Sequence, residues 1–359
     1  MVTPDHLSCF RGKTVLITGD TGFKGSWLSF WLHELGAKVV GIALPPDQKD
    51  GLFEALELHK KIRHSDVDIR NVEVVQKIFN ETKPEFVFHL AAQSLVRKSY
   101  FEPKATWDTN VGGSTNILEA VRSCSSVKSL IYVTSDKCYK NKEWLWGYRE
   151  NDELGGHDLY SSSKAAAELL FTSYQKCFLE KIENLGASSV RAGNVIGGGD
   201  WSADRIVPDC ITSLLKHAPI PVRNPASIRP WQHVLDPLNG YLLLAYKQST
   251  SSKELSGNWN FGPDATSNKT VMELVNSIIE HWGSGSFVTP SREGQVLHEA
   301  SLLQLNCDKA KHILNWRPVW DFKRTINETI FWYKALSEKR NMEEVTRHQI
   351  QTFMKDIQL

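Results

Sequence analysis

A tyrosine and a lysine four positions apart, Tyr160 and Lys164, are the residues of this chain best placed to do chemistry. On a helix this spacing puts both side chains on one face, one turn apart. An ammonium group beside a phenol stabilises the phenolate and lowers the tyrosine pKa, so that the tyrosine can take a proton from a hydroxyl while hydride leaves the same carbon. The spacing alone arises easily by chance. It becomes informative together with Ser135, Asp136 and Lys137 upstream and with a matching cofactor site.

A glycine-rich turn supplies that candidate cofactor site. Gly19, Gly22 and Gly25 follow the apolar run 15–17 at a spacing of three and three, rather than the two and three of the commonest dinucleotide fingerprint. A strand that ends in a tight turn needs residues without Cβ, and the N–H groups at the start of the next helix attract a pyrophosphate. Apolar residues at 3–4 spacing predict this helix over 22–35. The turn therefore predicts a dinucleotide site, the alternative being a strand–turn–helix unit without a ligand.

Composition narrows the class of protein. The 359 residues contain 42 Lys and Arg against 41 Asp and Glu, a net charge of +1, so no basic excess indicates nucleic acid. No apolar run approaches the roughly 20 residues of a membrane span, and residues 1–11 contain no apolar secretory core. The six cysteines form no Cys-x-x-Cys pair, which leaves zinc and redox motifs without support. We therefore expect a cytoplasmic protein with reduced thiols and no metal, membrane or nucleic-acid partner.

The order of elements predicts an α/β fold built on a doubly wound parallel sheet, the Rossmann arrangement, because apolar β-branched runs alternate with helical patterns. Prolines recur after Asn194, which predicts a smaller mixed C-terminal substrate-binding lobe over the carboxyl edge of the sheet. We place the NAD-binding domain at 1–194 and the smaller lobe at 195–359, with segments crossing between them. A surface helix is expected at 338–359. Strands are expected at 15–18, 39–43, 65–68, 86–90, 130–134 and 187–191, and helices at 22–35, 72–82, 107–122, 160–178, 208–217, 237–246 and 270–282.

Together these features resemble the extended short-chain dehydrogenase/reductase superfamily, whose members act on nucleotide-diphosphate sugars. Within it, blocks 21–28, 134–139, 191–201 and 228–234 look like the CDP-glucose 4,6-dehydratase family. The Asp136-Lys137 pair is the sharpest sign, because related dTDP- and GDP-sugar dehydratases carry Asp-Glu there and epimerases carry neither as a pair. The superfamily resemblance covers nearly the whole chain and is carried by Gly19, Gly22, Gly25, Asp68, Ile69, Leu90, Ala91, Ala92, Gln93, Thr109, Asn110, Tyr160, Lys164, Arg191, Ala192, Gly193 and Asn194.

The resemblance implies a role for each catalytic residue. Tyr160 takes the proton of the 4-hydroxyl while NAD⁺ takes hydride from C4, and Ser135 hydrogen-bonds that oxygen. Asp136 is the implied acid that protonates the departing 6-hydroxyl, and Lys137 occupies the position of the base for the C5 proton. Because lysine ordinarily titrates near pH ~10.4, Lys137 acts as a base only if its pKa is depressed. Otherwise its charge stabilises the enolate.

The resemblance also implies NAD as cofactor, with Asp68 at the adenine. The second strand runs into Leu44-Pro45-Pro46, without an acid at its end for the ribose hydroxyls and without an arginine that would prefer a 2′-phosphate. The choice of NAD over NADP therefore rests on the family. The implied cofactor-binding residues are Gly19, Thr21, Gly22, Phe23, Lys24, Gly25, Asp68, Ile69, Leu90, Ala91, Ala92, Gln93, Asn110, Tyr160 and Lys164.

CDP-glucose is the implied substrate, converted to CDP-4-keto-6-deoxyglucose and water for deoxysugar biosynthesis. Asn194, Arg205 and Arg229 should meet its diphosphate and Arg223 its nucleoside, since the guanidinium fork suits phosphate. Arg292 is a further candidate phosphate ligand.

Helices 107–122 and 160–178 are the implied contact of a homodimer or higher homo-oligomer. The alternatives are a nucleotide-sugar 4-epimerase, a different NDP-hexose 4,6-dehydratase, and an NAD-sensing regulatory protein. A sensing protein of this kind would typically lack the tyrosine or the lysine.

Overall fold

The computed structural model describes residues 4–251, 253–289 and 302–357. Its strands are β1 Thr14–Thr18, β2 Lys38–Ala43, β3 Arg63–Asp66, β4 Phe86–His89, β5 Ser129–Val133, β6 Gly186–Ala192, β7 Val195–Ile196, β8 Ile220–Pro221, β9 Ile228–Pro230, β10 Gln232–His233, β11 Gly257–Phe261, β12 Asn268–Thr270 and β13 Phe287–Val288. Its α-helices are α1 Asp5–Ser8, α2 Phe23–Glu34, α3 Leu52–Ala55, α4 Val72–Thr82, α5 Val96–Phe101, α6 Pro103–Trp107, α7 Ser114–Ser123, α8 Leu159–Cys177, α9 Ile206–Leu215, α10 Leu235–Thr250, α11 Val271–Trp282, α12 Phe322–Ser337 and α13 Met342–Asp356.

Seven strands form one sheet in the order β3-β2-β1-β4-β5-β6-β11, and every neighbouring pair is parallel. The Rossmann-type doubly wound sheet expected from the sequence is confirmed. The expected third strand at 65–68 lies two residues earlier, at Arg63–Asp66. The edge strand β11 comes from the second half of the chain and pairs with β6, so the sheet extends beyond residue 194.

Alternation along the central strands explains the two-layered core. Val15 and Ile17 of β1 point into one buried cluster, and Leu16 between them points into the other. The strand β5 repeats this pattern, with Ile131 in the first cluster and Tyr132 in the second. A parallel sheet that is buried on both faces needs this continuous apolar character.

The expected single helix at 107–122 is interrupted. The α-helix α6 ends at Trp107, a π-helical turn covers Asp108–Gly113, and α7 follows. A Cβ at Gly113 would lie 2.7 Å from the Ile69 side chain. The glycine therefore permits a close approach that a regular pattern of apolar spacing could not reveal.

The C-terminal helix α13 differs from the surface helix expected there. Its Val345, Ile350 and Phe353 are buried, and the Phe353 ring meets the Trp31 ring of α2 edge-on at 5.8 Å. Arg347 of the same helix pairs with Glu34 of α2 at 2.5 Å. The helix thus completes the core beside α2. Within the described ranges, no helix combines the length and apolarity needed to cross a membrane.

Candidate active site

One cleft of about 1390 Å³ runs along the carboxyl edge of the sheet. Its walls come from the loops after β1, β2, β4 and β5, from the start of α8, and from the segments around β7 to β9. It brings together all the expected site residues in the described ranges except Asn110. Residue Arg292 lies outside the described residues.

The glycine turn has the shape of a phosphate cradle. Gly19 has a φ of +78°, and a Cβ there would lie 2.8 Å from the Ala91 nitrogen; a Cβ at Gly25 would lie 2.0 Å from the Gly19 carbonyl oxygen. These two glycines are required by the protein's own backbone. A Cβ at Gly22 would meet only the Gly19 carbonyl oxygen, at 3.3 Å. Gly22 therefore turns its open side to the cleft at the N-terminus of α2, as a close-approaching pyrophosphate requires.

Lys24 adds a positive charge to this cradle. Its side chain lines the cleft within electrostatic reach of Arg205, Asp136 and Lys164. Burial, together with the charge of Arg205, lowers the pKa of Lys24 to about 8. The lysine is therefore placed between the candidate cofactor phosphates and the candidate catalytic acid.

Asp68, which is expected to contact the adenine, forms an ion pair with Arg70. The sequence analysis did not identify Arg70 as a site residue. Arg70 donates to both Asp68 carboxylate oxygens, at 2.5 to 3.0 Å, and also lines the cleft. This hydrogen bond lowers the pKa of Asp68. In the sequence, only the spacing of two residues between Asp68 and Arg70 could have indicated this pair. The Thr21 hydroxyl donates to the Leu44 carbonyl at 2.9 Å and ties the turn to the end of β2.

Asn110 lies behind the cleft wall rather than in it. Its amide donates to the Gln93 carbonyl at 3.0 Å and to the Ser163 hydroxyl at 2.9 Å, and its oxygen accepts from the Gln93 N–H at 2.8 Å. It is 1% exposed. Asn110 therefore fixes the loop after β4 against α8, and Gln93 is the residue that faces the cleft.

The helix α8 places Tyr160 and Lys164 in the cleft. Asp158 caps it by accepting the Ser161 N–H at 2.8 Å, so Tyr160 falls in the first turn and Lys164 one turn later. Both residues are buried and both line the cleft.

The electrostatics of this pair differ from the expectation. Burial raises the pKa of Tyr160 to about 12, partly offset by its hydrogen bond with Ser135. Burial lowers the pKa of Lys164 to about 8, opposed by the charge of Glu168. The protein alone therefore keeps Tyr160 as a neutral phenol, and lowering its pKa requires a further positive charge in the cleft.

The turn after β5 puts Asp136 and Lys137 in different surroundings. The Ser135 hydroxyl accepts the Lys137 N–H at 3.2 Å and donates to Asp136 Oδ1 at 2.9 Å. Asp136 is 4% exposed, and its burial raises its pKa against the opposing charges of Lys137, Lys24 and Arg229. The Lys137 side chain is exposed. Asp136 is therefore suited to hold a proton and donate it.

The substrate half of the cleft is rich in arginine. Arg205 precedes α9, donates to Asp200 at 2.9 Å, and contributes positive charge near Tyr160. Arg229 of β9 is 8% exposed and lies within electrostatic reach of Asp136. Asn194 lines the same wall. These positions would set a diphosphate beside the catalytic groups.

Arg223 belongs to an ion-pair group at the mouth of the cleft. It contacts Asp204 at 3.2 Å and Asp209 at 3.6 Å, and Arg97 of α5 contacts the same Asp204 at 2.9 Å. The sequence analysis did not identify Arg97 as part of this group, because Arg97 lies far from Arg223 along the chain. Only its position just after the expected cofactor loop 90–93 could have indicated that it lies near the cleft. In the ranges that the structure describes, no cluster of three or more His, Cys, Asp or Glu side chains could hold a metal ion.

The fold and this cleft define an extended short-chain dehydrogenase/reductase of the nucleotide-sugar type. A family model described as GDP-mannose 4,6 dehydratase matches residues 16–329, and the chain belongs to that family. A CDP-glucose 4,6-dehydratase from Salmonella typhimurium is 43% identical over 349 residues, which cover 96% of this chain and 97% of that one.

Solved structures confirm the fold. An epimerase from Methanothermobacter thermautotrophicus aligns with a TM-score of 0.80 at 22% identity, over 93% of this chain and 96% of that one. A dTDP-glucose 4,6-dehydratase from Bacillus anthracis, in complex with NAD, aligns with a TM-score of 0.75 at 22% identity, over 92% of this chain and all of the other.

Proposed function

We propose that this protein is a CDP-glucose 4,6-dehydratase, which converts CDP-glucose to CDP-4-keto-6-deoxyglucose and water. The observation that carries the proposal is the buried Asp136 carboxyl in the same cleft as Tyr160 and Lys164, hydrogen-bonded to Ser135. An epimerase needs the tyrosine and the lysine, whereas elimination of water also needs a protonated acid. The relative from Salmonella typhimurium supports CDP-glucose over other nucleotide sugars.

The cleft fits NAD at the glycine turn, because Gly22 leaves room for close approach and Lys24 supplies positive charge. Gly19, Gly22, Lys24, Gln93 and Lys164 would hold it, and the Bacillus anthracis neighbour is an NAD complex. When bound, the oxidised nicotinamide supplies the hydride acceptor, and its positive charge favours the phenolate of Tyr160.

Different residues of the chain carry out the separate proton transfers of the reaction. Tyr160 accepts the proton of the 4-hydroxyl, and Ser135 hydrogen-bonds both the Tyr160 phenol and the Asp136 carboxyl, so the two proton-handling groups are linked. The resulting 4-keto group makes the C5 proton acidic. Asp136, whose pKa is raised by burial, donates its proton to the departing 6-hydroxyl. Lys137 would act on the C5 proton as base or stabilise the enolate as a cation. Return of the C4 hydride to C6 and of a proton to C5 would complete the 6-deoxy product.

The fate of the C4 hydrogen tests the proposal. CDP-glucose deuterated at C4 should give a 4-keto-6-deoxy product with deuterium at C6 and one solvent-derived hydrogen at C5. Deuterium that returns to C4 with inversion would identify a 4-epimerase, and deuterium released on free cofactor would identify a simple dehydrogenase. A parallel comparison of CDP-, dTDP-, UDP- and GDP-hexoses tests the nucleotide, and turnover of another hexose above that of CDP-glucose would overturn the choice of CDP.

We further propose a cytoplasmic homodimer. Along the outer row of α8, Ser162 and Ala166 are half-buried and Leu169 is 59% exposed. In the other helical segment of the expected contact, 107–122, Trp107 is 38% exposed. A second copy packed through these helices would cover both apolar side chains. Leu169→Lys should halve the mass measured by light scattering, whereas an unchanged mass would refute this contact.

A further inference from the structure

The residue in the middle of the glycine turn, Asp20, is a buried carboxylic acid. Its side chain is completely buried, and its carbonyl accepts the Ser26 hydroxyl at 2.9 Å. A Cβ at Gly25 would lie 2.9 Å from its Cα. The backbone of Asp20 is therefore part of the phosphate cradle itself.

The Asp20 side chain reaches beneath the turn toward the neighbouring strands. A Cβ at Gly41 of β2 would lie 2.1 Å from Asp20 Oδ2, so glycine at that position leaves the space that the carboxylate fills. His64 of β3 contacts Oδ2 through Nδ1 at 2.7 Å. The other oxygen, Oδ1, is buried and has no hydrogen-bond partner among the described residues. Burial raises the pKa of Asp20, and His64 opposes this rise by its hydrogen bond and its charge, so His64 is the group that stabilises the Asp20 carboxylate.

The geometry around His64 favours the imidazolium. Its Nδ1 faces Asp20, and its Nε2 faces Asp66 Oδ1 at 3.2 Å. A neutral imidazole carries a single N–H and can donate to only one of these carboxylates, whereas the imidazolium donates to both. The hydrogen bond with Asp20 correspondingly raises the pKa of His64 above its ordinary 6.5.

The other elements around this pair contribute little charge. The helix α3 packs the Phe53 ring edge-on against His64 at 4.9 Å, and His59 lies next to the same ring at 6.5 Å. The only charged residue of β2 is Lys38, at the strand's opposite end. On the cleft side of the turn, Lys24 titrates with a pKa of about 8.

We propose that Asp20 and His64 are positioning residues that make the affinity of the glycine turn for a dinucleotide pyrophosphate depend on the protonation of His64. The imidazolium cancels the carboxylate charge beneath a cradle that must receive two phosphate charges. When His64 loses its proton, the site becomes more negative by one charge, and either Asp20 or Asp66 faces a lone pair. The cradle then repels pyrophosphate and loses part of its tie to β3.

Titration of NAD at pH 6.5 and pH 8.5 tests this, with binding followed by calorimetry. Wild-type affinity should fall on going to the higher pH by about tenfold more than the part due to Lys24 and Lys164, which both have a pKa of about 8, because a unit charge changes near a doubly charged group in a partly buried site. Asp20→Asn keeps the shape of the side chain and removes the partner that raises the pKa of His64, so less of the His64 titration should fall between these pH values and the dissociation constant should change less than in wild type. His64→Gln should leave only the change due to Lys24 and Lys164, whereas the control His59→Gln should keep the wild-type dependence.

Adenosine, which has no phosphate, serves as a second probe. Its affinity should show none of the extra change with pH in the wild-type protein. The proposal is overturned if Asp20→Asn and wild type lose NAD affinity equally between the two pH values, or if adenosine binding follows the same profile as NAD. The Asp20→Asn comparison and the adenosine comparison both remain interpretable even if His64→Gln fails to fold. Neither comparison depends on which sugar nucleotide is the substrate.

Discussion

Replacement of Gly22 by valine should abolish NAD binding while leaving the fold in place. A Cβ at this position meets only the Gly19 carbonyl oxygen, at 3.3 Å, and the φ of Gly22 is −77°, which any residue adopts. We therefore expect the free energy of unfolding of the unliganded protein to change by about 1 kcal/mol. The added side chain would instead fill the space through which the pyrophosphate approaches.

The loss of NAD binding can be measured as the loss of the Tm increase that NAD causes. NAD at one hundred times its dissociation constant stabilises the wild-type protein by about 2.7 kcal/mol. An unfolding entropy of about 2.1 cal/mol/K per residue over 359 residues is about 0.75 kcal/mol/K, so the wild-type Tm should rise by about 4 °C. For Gly22→Val at the same NAD concentration, the rise should be close to zero.

Gly25→Ala is the matched control. Its Cβ would lie 2.0 Å from the Gly19 carbonyl oxygen, so alanine there should destabilise the unliganded protein itself, by about 3 kcal/mol. The reasoning is refuted if Gly22→Val keeps a Tm rise of about 4 °C with NAD, because the cofactor would then bind elsewhere. It is also refuted if Gly22→Val and Gly25→Ala destabilise the unliganded protein equally.

Three further changes test the catalytic groups and the core. Tyr160→Phe should lower turnover by roughly 10²- to 10⁴-fold, with substrate affinity retained in equilibrium binding; near-normal turnover would mean that another base is used. Lys137→Met should slow elimination more than the first oxidation, so that reduced-nicotinamide absorbance builds up in a single turnover, and proportional slowing of both steps would contradict this. Asp236 is buried with a pKa raised by burial to about 7 from 3.8, so its ionisation in the unfolded chain progressively destabilises the fold as the pH rises from about 4 to about 7. Asp236→Asn should therefore gain up to roughly 4 kcal/mol more stability at pH 8 than at pH 4, and an equal effect of the substitution on urea unfolding at both pH values would refute the buried-acid interpretation.

Local patterns were enough to predict the sheet and most of the site. The continuous apolar run of Val15, Leu16 and Ile17 predicts the first strand, and the glycines after it predict the turn, because both depend on neighbours in sequence. The spacing of Tyr160 and Lys164 likewise needs only the period of one helix. These are the features for which sequence and structure agree.

Features that depend on contacts between distant segments could not be predicted in this way. The helix α13 has a polar-looking sequence, yet Phe353 packs against Trp31, more than three hundred residues earlier. The π-helical turn at Asp108–Gly113 reflects the close approach of Gly113 to Ile69. In the same way, Asp20 looks like an ordinary turn residue until Gly41 and His64 are seen around its carboxylate.

The pKa of Tyr160 is likewise a property that the sequence alone could not predict. Helical spacing correctly places Lys164 one turn away, but the sequence does not reveal that both groups are buried. Burial opposes charge on either side chain, which raises the pKa of Tyr160 to about 12 and lowers that of Lys164 to about 8. At pH 7 Tyr160 is therefore a neutral phenol, whereas Lys164, with a pKa of about 8, still carries its proton in most molecules.

The turn after β5 gives two adjacent residues, Asp136 and Lys137, different surroundings. Because Asp136–Cys138 is a 3-10 turn capped by Ser135, the Asp136 side chain is buried while that of Lys137 remains exposed in the cleft. Burial raises the pKa of Asp136, and the nearby charges of Lys137, Lys24 and Arg229 prevent a larger rise. A carboxyl with a raised pKa is better suited to donate a proton near neutral pH than an ordinary aspartate. Lys24 and Arg229, two of the cations expected to meet phosphate, therefore also limit the rise in the pKa of Asp136.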